Sequence, residues 1–158
     1  MQTMNAVDRA EYELETARTL EDVHVVVRSA ARRCVNADGG TFVLRDNEQC
    51  FYVDEDAMGP LWKGQRFPLS ACISGWAMLH CEQVVIPNIS LDERIPQEAY
   101  RPTFVASLVM TPIVVGEPVG AIGAYWSWTH EASSDELALL TRLADVTADA
   151  MRSVGFGS

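Results

Sequence analysis

Apolar residues recur near both ends of the chain with the three-four spacing of an amphipathic helix. Residues 7–17 carry one such stripe, and residues 20–34 carry a second one directly after Thr19, which opens a sequence typical of a capping box. A third stripe runs through residues 137–151, and Ser133 before it is a residue type that often caps a helix. The pattern predicts two helices at the start of the chain and one at its end.

The apolar runs between these helices are short and rich in β-branched residues, as is typical of strands. The predicted extended segments are 41–45, 51–53, 65–69, 84–86, 105–115 and 119–128. Only residues 116–118 separate the last two, so they predict a hairpin at the sheet centre. We expect the acidic run 54–56 to open a loop. This order of elements favours an α+β sandwich with one antiparallel sheet and the terminal helices on one face.

A short helix around Trp76 is predicted between two of the extended segments. Ser70 or Ser74 could serve as its N-cap. A helix this short cannot bury its own apolar side chains. We therefore expect Trp76, Leu79 and Met78 to bring it against the sheet.

The least regular stretch is 90–103, where Pro96 and Pro102 leave room for at most one helical turn. A loop of this length in a compact domain is usually functional or mobile. We expect this loop and the short helix to cover the sheet face opposite to the terminal helices.

These motifs, in this order, resemble the GAF domain, a small sensory module common in bacterial signalling proteins. The likeness lies in Gly75-Trp76 within a short helix, the apolar strand that ends in Pro87-Asn88-Ile89, and the two strands at 104–113 and 120–125. It covers about residues 19–151 and is strongest to GAF domains of bacterial sensor histidine kinases.

The resemblance implies a PAS-related fold with a central antiparallel sheet of about six strands and a ligand pocket beneath the short helix and loops. It also implies a single domain over 1–158, in which the helix at 5–18 serves signalling or dimerisation. In that family, parallel dimers pass changes in the input domain to an output domain. Narrow apolar stripes suit a helical seam between subunits, so we expect a homodimer.

Composition narrows the functional classes. Acidic residues number 22 against 12 basic ones, which gives a formal charge of −10. Such a surface repels phosphate backbones and anionic lipids, so we expect neither nucleic-acid binding nor direct membrane contact. The first ten residues lack the apolar core of a signal peptide, and no apolar run is long enough to span a bilayer. The expected location is the cytoplasm.

The histidines give no sign of catalysis or metal binding. His24, His80 and His130 have no ligand partner three or four positions on, and no nucleophile elbow or phosphate-binding glycine loop is present. We therefore predict a non-enzymatic domain without metal or cofactor. Haem could recruit only His80 or His130. The cysteine-histidine pair of bilin-binding members is missing, and Asp92-Glu93 alone does not reproduce the signature of cyclic-nucleotide-binding members.

The cysteines leave one enzymatic alternative. Cys34, Cys50, Cys72 and Cys81 form no CxxC pair. Some GAF proteins reduce free methionine sulfoxide with a cysteine near the position of Cys72 and a further cysteine in the later loop. The loop 90–104 contains none here, so the resolving thiol would have to be Cys81 or Cys50.

Large amphipathic side chains gather in the segments predicted to close over the second sheet face. The predicted pocket residues are Trp62, Trp76, Tyr100, Arg101, Phe104 and Trp126. Arg94 and Arg101 could orient an anionic ligand or pair with nearby carboxylates such as Asp92. The sequence predicts a sensor of an unknown small molecule. The alternatives are the reductase, and a dimerisation module whose aromatic residues simply fill the core.

Overall fold

The computed structural model describes residues 4–156, so the first three and last two positions of the predicted 1–158 domain lie outside the described residues. Within them, six strands form one antiparallel sheet in the order β3-β2-β1-β6-β5-β4. The strands are β1 (Gly39–Asp46), β2 (Gln49–Ala57), β3 (Arg66–Pro68), β4 (Val84–Ile86), β5 (Ser107–Val115) and β6 (Glu117–Trp126). The helices are α1 (Ala6–Leu14), α2 (Leu20–Arg33), α3 (Ile73–His80), α4 (Gln97–Tyr100) and α5 (Ser134–Ser153).

The three long helices begin where the capping signals indicate. Thr19 and Asp22 form a reciprocal capping box at the start of α2, and Ser133 and Glu136 do the same for α5. Asn5 caps α1 in the same way. Each box satisfies backbone N–H groups that a helix start leaves unpaired, which is why these boundaries can be read from the sequence.

Side chains from the sheet enter two separate cores. The core on the helical side contains Val27 of α2, Phe42 of β1, Ile122 of β6 and Leu143 of α5. The opposite core lies under α3, α4 and the irregular segment 87–106. The predicted α+β architecture is confirmed, with the terminal helices on one face and the short helix and irregular segment on the other.

The start of α3 corrects the expectation about its N-cap. Cys72 occupies the N-cap position and makes no side-chain capping hydrogen bond. Ser70 lies in a preceding turn of 3-10 helix, and Ser74 is buried inside α3. Gly75 allows the turn and the helix to meet, because a side chain there would overlap the backbone of Leu69.

The buried face of α3 also differs from the expectation. Ile73, Ala77 and Met78 are buried, whereas Leu79 is 54% exposed. Residues four apart share one face of a helix, so burying Ile73 and Ala77 turns Leu79, two positions after Ala77, away from the core. Trp76 is only half-buried, at the edge of the core.

The acidic run 54–56 belongs to β2 and not to a loop. The pairing of β1 with β2 shifts register between Phe42 and Val43, where the bulge skips Val53. As a result Tyr52 and Asp54, which ordinary alternation would place on one face, lie on opposite faces.

Asp54 joins the sheet to the helical side. Its side chain is 3% exposed, and the carboxylate accepts from His24 Nδ1 at 2.8 Å and Arg28 Nη1 at 2.7 Å, with Lys63 Nζ at 3.1 Å. Burial alone would raise the pKa of Asp54, but the hydrogen bonds from Arg28, Lys63 and His24 outweigh it and hold the pKa below its usual value.

No helix within residues 4–156 is long and apolar enough to cross a bilayer.

Replacing Asp54 with Asn should lower the free energy of unfolding by about 3 kcal/mol, because it leaves the cations around it without a counter-charge. The pKa of Asp54 is depressed on folding, so its contribution is present above its unfolded pKa of about 3.9 and is lost as the pH falls through the folded value. Urea unfolding at neutral pH and at acidic pH measures both effects. The matched control is Asp56→Asn on the same strand, where a half-exposed pair with Arg32 should contribute less than about 1 kcal/mol. Equal losses in the two variants would contradict this account.

Candidate functional site

Four aromatic residues meet in the core under α3 and α4, and we call them the aromatic cluster: Tyr52, Trp62, Tyr100 and Tyr125. The Trp62 ring centroid lies 4.6 Å from that of Tyr100, 5.5 Å from Tyr52 and 5.6 Å from Tyr125. All four side chains are buried. They fill most of the predicted pocket, since the cavity that remains holds about 10 Å³. That is roughly the space of one water molecule.

Backbone and side-chain hydrogen bonds hold Trp62 in the centre of this cluster. The Glu55 carboxylate accepts from the backbone N–H groups of residues 61–63 at 2.9, 3.0 and 2.9 Å. The indole Nε1 of Trp62 donates to the carbonyl of Ala99 at 3.0 Å. Trp62 therefore connects β2 to α4, which covers the cavity.

The hydroxyl groups of the cluster are unequally satisfied. Tyr52 shares a hydrogen bond of 3.0 Å with Ser74, and Tyr125 shares one of 3.0 Å with Thr41. The Tyr100 hydroxyl is buried without a partner among the described residues. Burial raises the pKa of Tyr100 well above its usual value, so the group stays protonated and keeps a hydrogen to donate. An unpaired buried donor costs about 1–3 kcal/mol, and an acceptor placed beside it would recover part of that free energy.

The predicted pocket residues are only partly brought together. Trp62 and Tyr100 line the small cavity, and Phe104 packs half-buried at the edge of the same core. Trp76 lies outside the cavity, stacked on His80 at 3.8 Å and beneath the Arg94 guanidinium at 4.6 Å. Arg101 is exposed on the surface after α4.

Trp126 does not belong to the pocket. Its side chain packs with Val109, Ala124 and Leu140 on the helical side of the sheet. Neighbouring strand residues point to opposite faces, so Tyr125 reaches the aromatic cluster and Trp126 cannot. The sequence prediction named Trp126 instead of Tyr125, because alternation along β6 puts the two rings on opposite faces without showing which face holds the pocket. It also missed Tyr52 of β2.

Arg94 of the irregular segment pairs with a nearby carboxylate. Arg94 forms an ion pair with Asp92, with Nη2 to Oδ2 at 2.7 Å and Nε to Oδ1 at 3.0 Å. This confirms the predicted pairing alternative for Arg94. Because the same guanidinium covers Trp76, the pair fixes the irregular segment to α3.

Two of the four cysteines are adjacent. Cys50 Sγ of β2 and Cys72 Sγ at the start of α3 are 3.1 Å apart, and Cys72 also lies 3.4 Å from Ser74 Oγ. The hydrogen bond with Cys50 lowers the pKa of Cys72 to about 7, with help from Ser74 and the backbone of Gly75 against the effect of burial. The same bond, together with burial, raises the pKa of Cys50. Cys81 is exposed at the far end of α3.

The histidines lie away from the cavity. His80 Nδ1 contacts the carbonyl of Trp76 at 2.9 Å, and His130 Nε2 pairs with Glu136 at 2.9 Å at the start of α5. Neither histidine lines the cavity, so neither is placed to ligate a group bound there. Among the residues that the structure describes, no three His, Cys, Asp or Glu side chains come together as a metal site.

A sheet with helices on one face and a covered aromatic cluster on the other defines an α+β sandwich domain. The chain belongs to the GAF domain family, whose model matches residues 17–152. This confirms the predicted family, which is one of sensory and regulatory signalling domains that bind small ligands. None of the curated protein sequences matches the chain.

Solved structures show the same fold at low sequence identity. The GAF domain of an Acinetobacter phosphoenolpyruvate-protein phosphotransferase superposes with a TM-score of 0.81 at 18% identity, covering 97% of this chain and 96% of that one. Free methionine-R-sulfoxide reductase from Neisseria meningitidis, in complex with its substrate, has a TM-score of 0.81 at 13% identity over 94% and 87% of the two chains. A domain of a putative two-component sensor histidine kinase from Sinorhizobium meliloti has a TM-score of 0.69 at 16% identity over 87% and 94%.

Removing the Tyr100 hydroxyl should stabilise the protein. We expect Tyr100→Phe to raise the free energy of unfolding by about 1 kcal/mol, because it deletes a buried donor that has no partner. The matched control is Tyr52→Phe, which removes a hydroxyl bonded to Ser74 and should lower the free energy by about 1 kcal/mol. Urea unfolding monitored by circular dichroism gives both values. A loss of stability in Tyr100→Phe would show that its hydroxyl is satisfied in solution.

Proposed function

We propose that this GAF domain is a non-enzymatic input domain of a bacterial signalling protein, such as a cytoplasmic sensor histidine kinase, that responds to a small molecule. The Tyr100 hydroxyl is the observation that carries the proposal. A buried donor without a partner weakens the folded state, and a ligand that accepts from it restores the missing hydrogen bond.

Binding would require the cluster to open, because a cavity of about 10 Å³ holds no organic ligand. The element best suited to move is α4 with its flanking residues. It is a four-residue helix, and its links to Trp62 are the hydrogen bond from the indole to Ala99 and the ring contact with Tyr100. A ligand under α4 would select the open arrangement through its higher affinity for that state.

The contacts at the sheet edge offer a route from the irregular segment to α5. The backbone N–H of His130 donates to the carbonyl of Pro87 at 3.2 Å, and the His130 ring contacts Glu136 in the first turn of α5. Gln83 donates to the carbonyl of Leu137 at 3.1 Å. We propose that movement of the segment after β4 shifts the start of α5 through these bonds, which sequence reasoning did not anticipate.

The second part of the proposal is a homodimer formed through the helical side. Two exposed apolar residues, Met4 just before α1 and Val25 of α2, line a groove between these two helices. A second copy packing there would bring two signalling helices together. Light scattering of the purified protein reports the number of subunits directly.

The test of ligand binding begins with native mass spectrometry and an absorption spectrum of the purified protein, which reveal any retained compound. A thermal-shift screen of small molecules then identifies compounds that bind the folded protein. We expect a true pocket ligand to bind about tenfold more weakly to Tyr100→Phe, since one hydrogen bond is lost. Binding to Tyr52→Phe should be nearly unchanged because that hydroxyl already has a partner. Equal affinity for wild type and Tyr100→Phe would remove Tyr100 from ligand recognition.

A second candidate is reduction of free methionine sulfoxide, favoured by one observation. Cys72 lines the small cavity and lies 3.1 Å from Cys50, which could act as the resolving thiol. Turnover of methionine sulfoxide with dithiothreitol as reductant tests this candidate. Activity that Cys72→Ser abolishes and Cys81→Ser preserves would establish the enzyme, and we expect no turnover from the wild type.

A further inference from the structure

We infer that Cys50 and Cys72 form a dithiol site that hydroperoxides oxidise to an intramolecular disulfide. The substrate class is a small hydroperoxide, with hydrogen peroxide as its simplest member. Disulfide formation at this site requires neither a pocket ligand nor reductase activity, so its test is independent of the proposed function.

The backbone keeps the two sulfur atoms close although 22 positions separate them. Cys50 pairs with Phe67 where β2 meets β3, and the chain then turns directly into α3. The sulfur atoms are 3.1 Å apart, and a disulfide bond measures about 2.05 Å, so an approach of about 1 Å closes it. We expect rotation of the two side chains to supply this movement.

The two thiols are not equivalent, which assigns their roles. Cys72 is 8% exposed and lines the small cavity, whereas Cys50 is 0% exposed. Cys72 also stands at the N-cap of α3, where the helix N-terminus favours a thiolate. Its pKa of about 7 agrees with this position. Cys72 is therefore the sulfur that meets the oxidant, and Cys50 is the one that resolves the product.

The surroundings of the pair contain few charges. Ser74 lies within hydrogen-bond distance of Cys72, and the hydroxyl groups of Tyr52, Tyr100 and Tyr125 stay protonated. The positive charge of Arg45 acts on Cys50. Nothing in this set competes with the thiolate of Cys72 as the nucleophile near neutral pH.

The reaction balances in two steps. The Cys72 thiolate attacks the terminal, hydroxyl oxygen of the hydroperoxide, the O–O bond breaks, and the alkoxide or hydroxide that leaves takes up a proton. Cys72 is then a sulfenic acid. The sulfur of Cys50 attacks Cys72 Sγ, loses its proton, and displaces hydroxide, which leaves as water. Two thiols are oxidised and one peroxide is reduced to an alcohol, or to water when the oxidant is hydrogen peroxide.

The experiment treats reduced, full-length protein with limiting hydrogen peroxide, blocks the remaining thiols with iodoacetamide, and maps peptides by mass spectrometry. We expect a peptide pair joined through Cys50 and Cys72, reversed by dithiothreitol. The rate of disulfide formation should rise about tenfold from pH 6 to pH 8, as the thiolate fraction follows the pKa of Cys72.

Variants assign the order of steps. Cys50→Ser should accumulate a sulfenic acid at Cys72 that dimedone traps, and Cys72→Ser should leave Cys50 reduced. The matched control Cys81→Ser, which removes the exposed thiol, should behave as the wild type. Peptide mapping of the wild type decides the question even if a buried variant fails to fold. Oxidation at Cys81 or Cys34 while the pair stays reduced would overturn the inference.

Discussion

Alternation of side chains across the central strands is the constraint on which the rest of the structure depends. Ile122, Ala124 and Trp126 of β6 point toward the helices, and Ala121 and Tyr125 point toward the aromatic cluster. Because β6 pairs with β1 on one side and with β5 on the other, this alternation extends across the sheet. It separates a helical core from a core that contains the candidate site.

A bulge in β2 lets neighbouring residues of this strand hold elements on both faces of the sheet. It turns Asp54 toward α2 and Glu55 toward the loop that carries Trp62. The Asp54 carboxylate thus holds α2 on the helical side of the sheet, and the Glu55 carboxylate holds the loop with Trp62 on the other side. The arrangement explains how an acidic run can lie within a strand, since buried charge is tolerated when it is paired and hydrogen-bonded.

The site itself combines features that stability alone does not explain. Trp62 and its tyrosine neighbours fill the place where a ligand would bind, and yet Tyr100 keeps a buried donor unused. Two thiols meet at the edge of the same cluster, where Ser74 contacts both Cys72 and Tyr52. Functional sites often keep polar groups that lower the stability of the folded protein, although hydrophobic residues at the same positions would avoid that loss.

Local signals in the sequence determined the helices, most strands and their order. Capping residues such as Thr19 and Ser133 act within one turn, and the tight turn at Gly116 joins neighbouring strands, so their effects can be read from a few positions. The expectation of at most one helical turn between Pro96 and Pro102 is confirmed, because the restriction by proline is also local. The two-sided architecture also followed, since a short helix and a long loop had one sheet face left to cover.

Only the tertiary structure decided which aromatic residues meet. The register of β6 placed Tyr125 and not Trp126 in the cluster, and the bulge in β2 separated Tyr52 from Asp54. The pairing of β2 with β3 brought Cys50 to Cys72. These outcomes depend on contacts between distant segments and on one bulge in the pairing of β1 with β2. Neither can be predicted from composition or from periodicity along the chain.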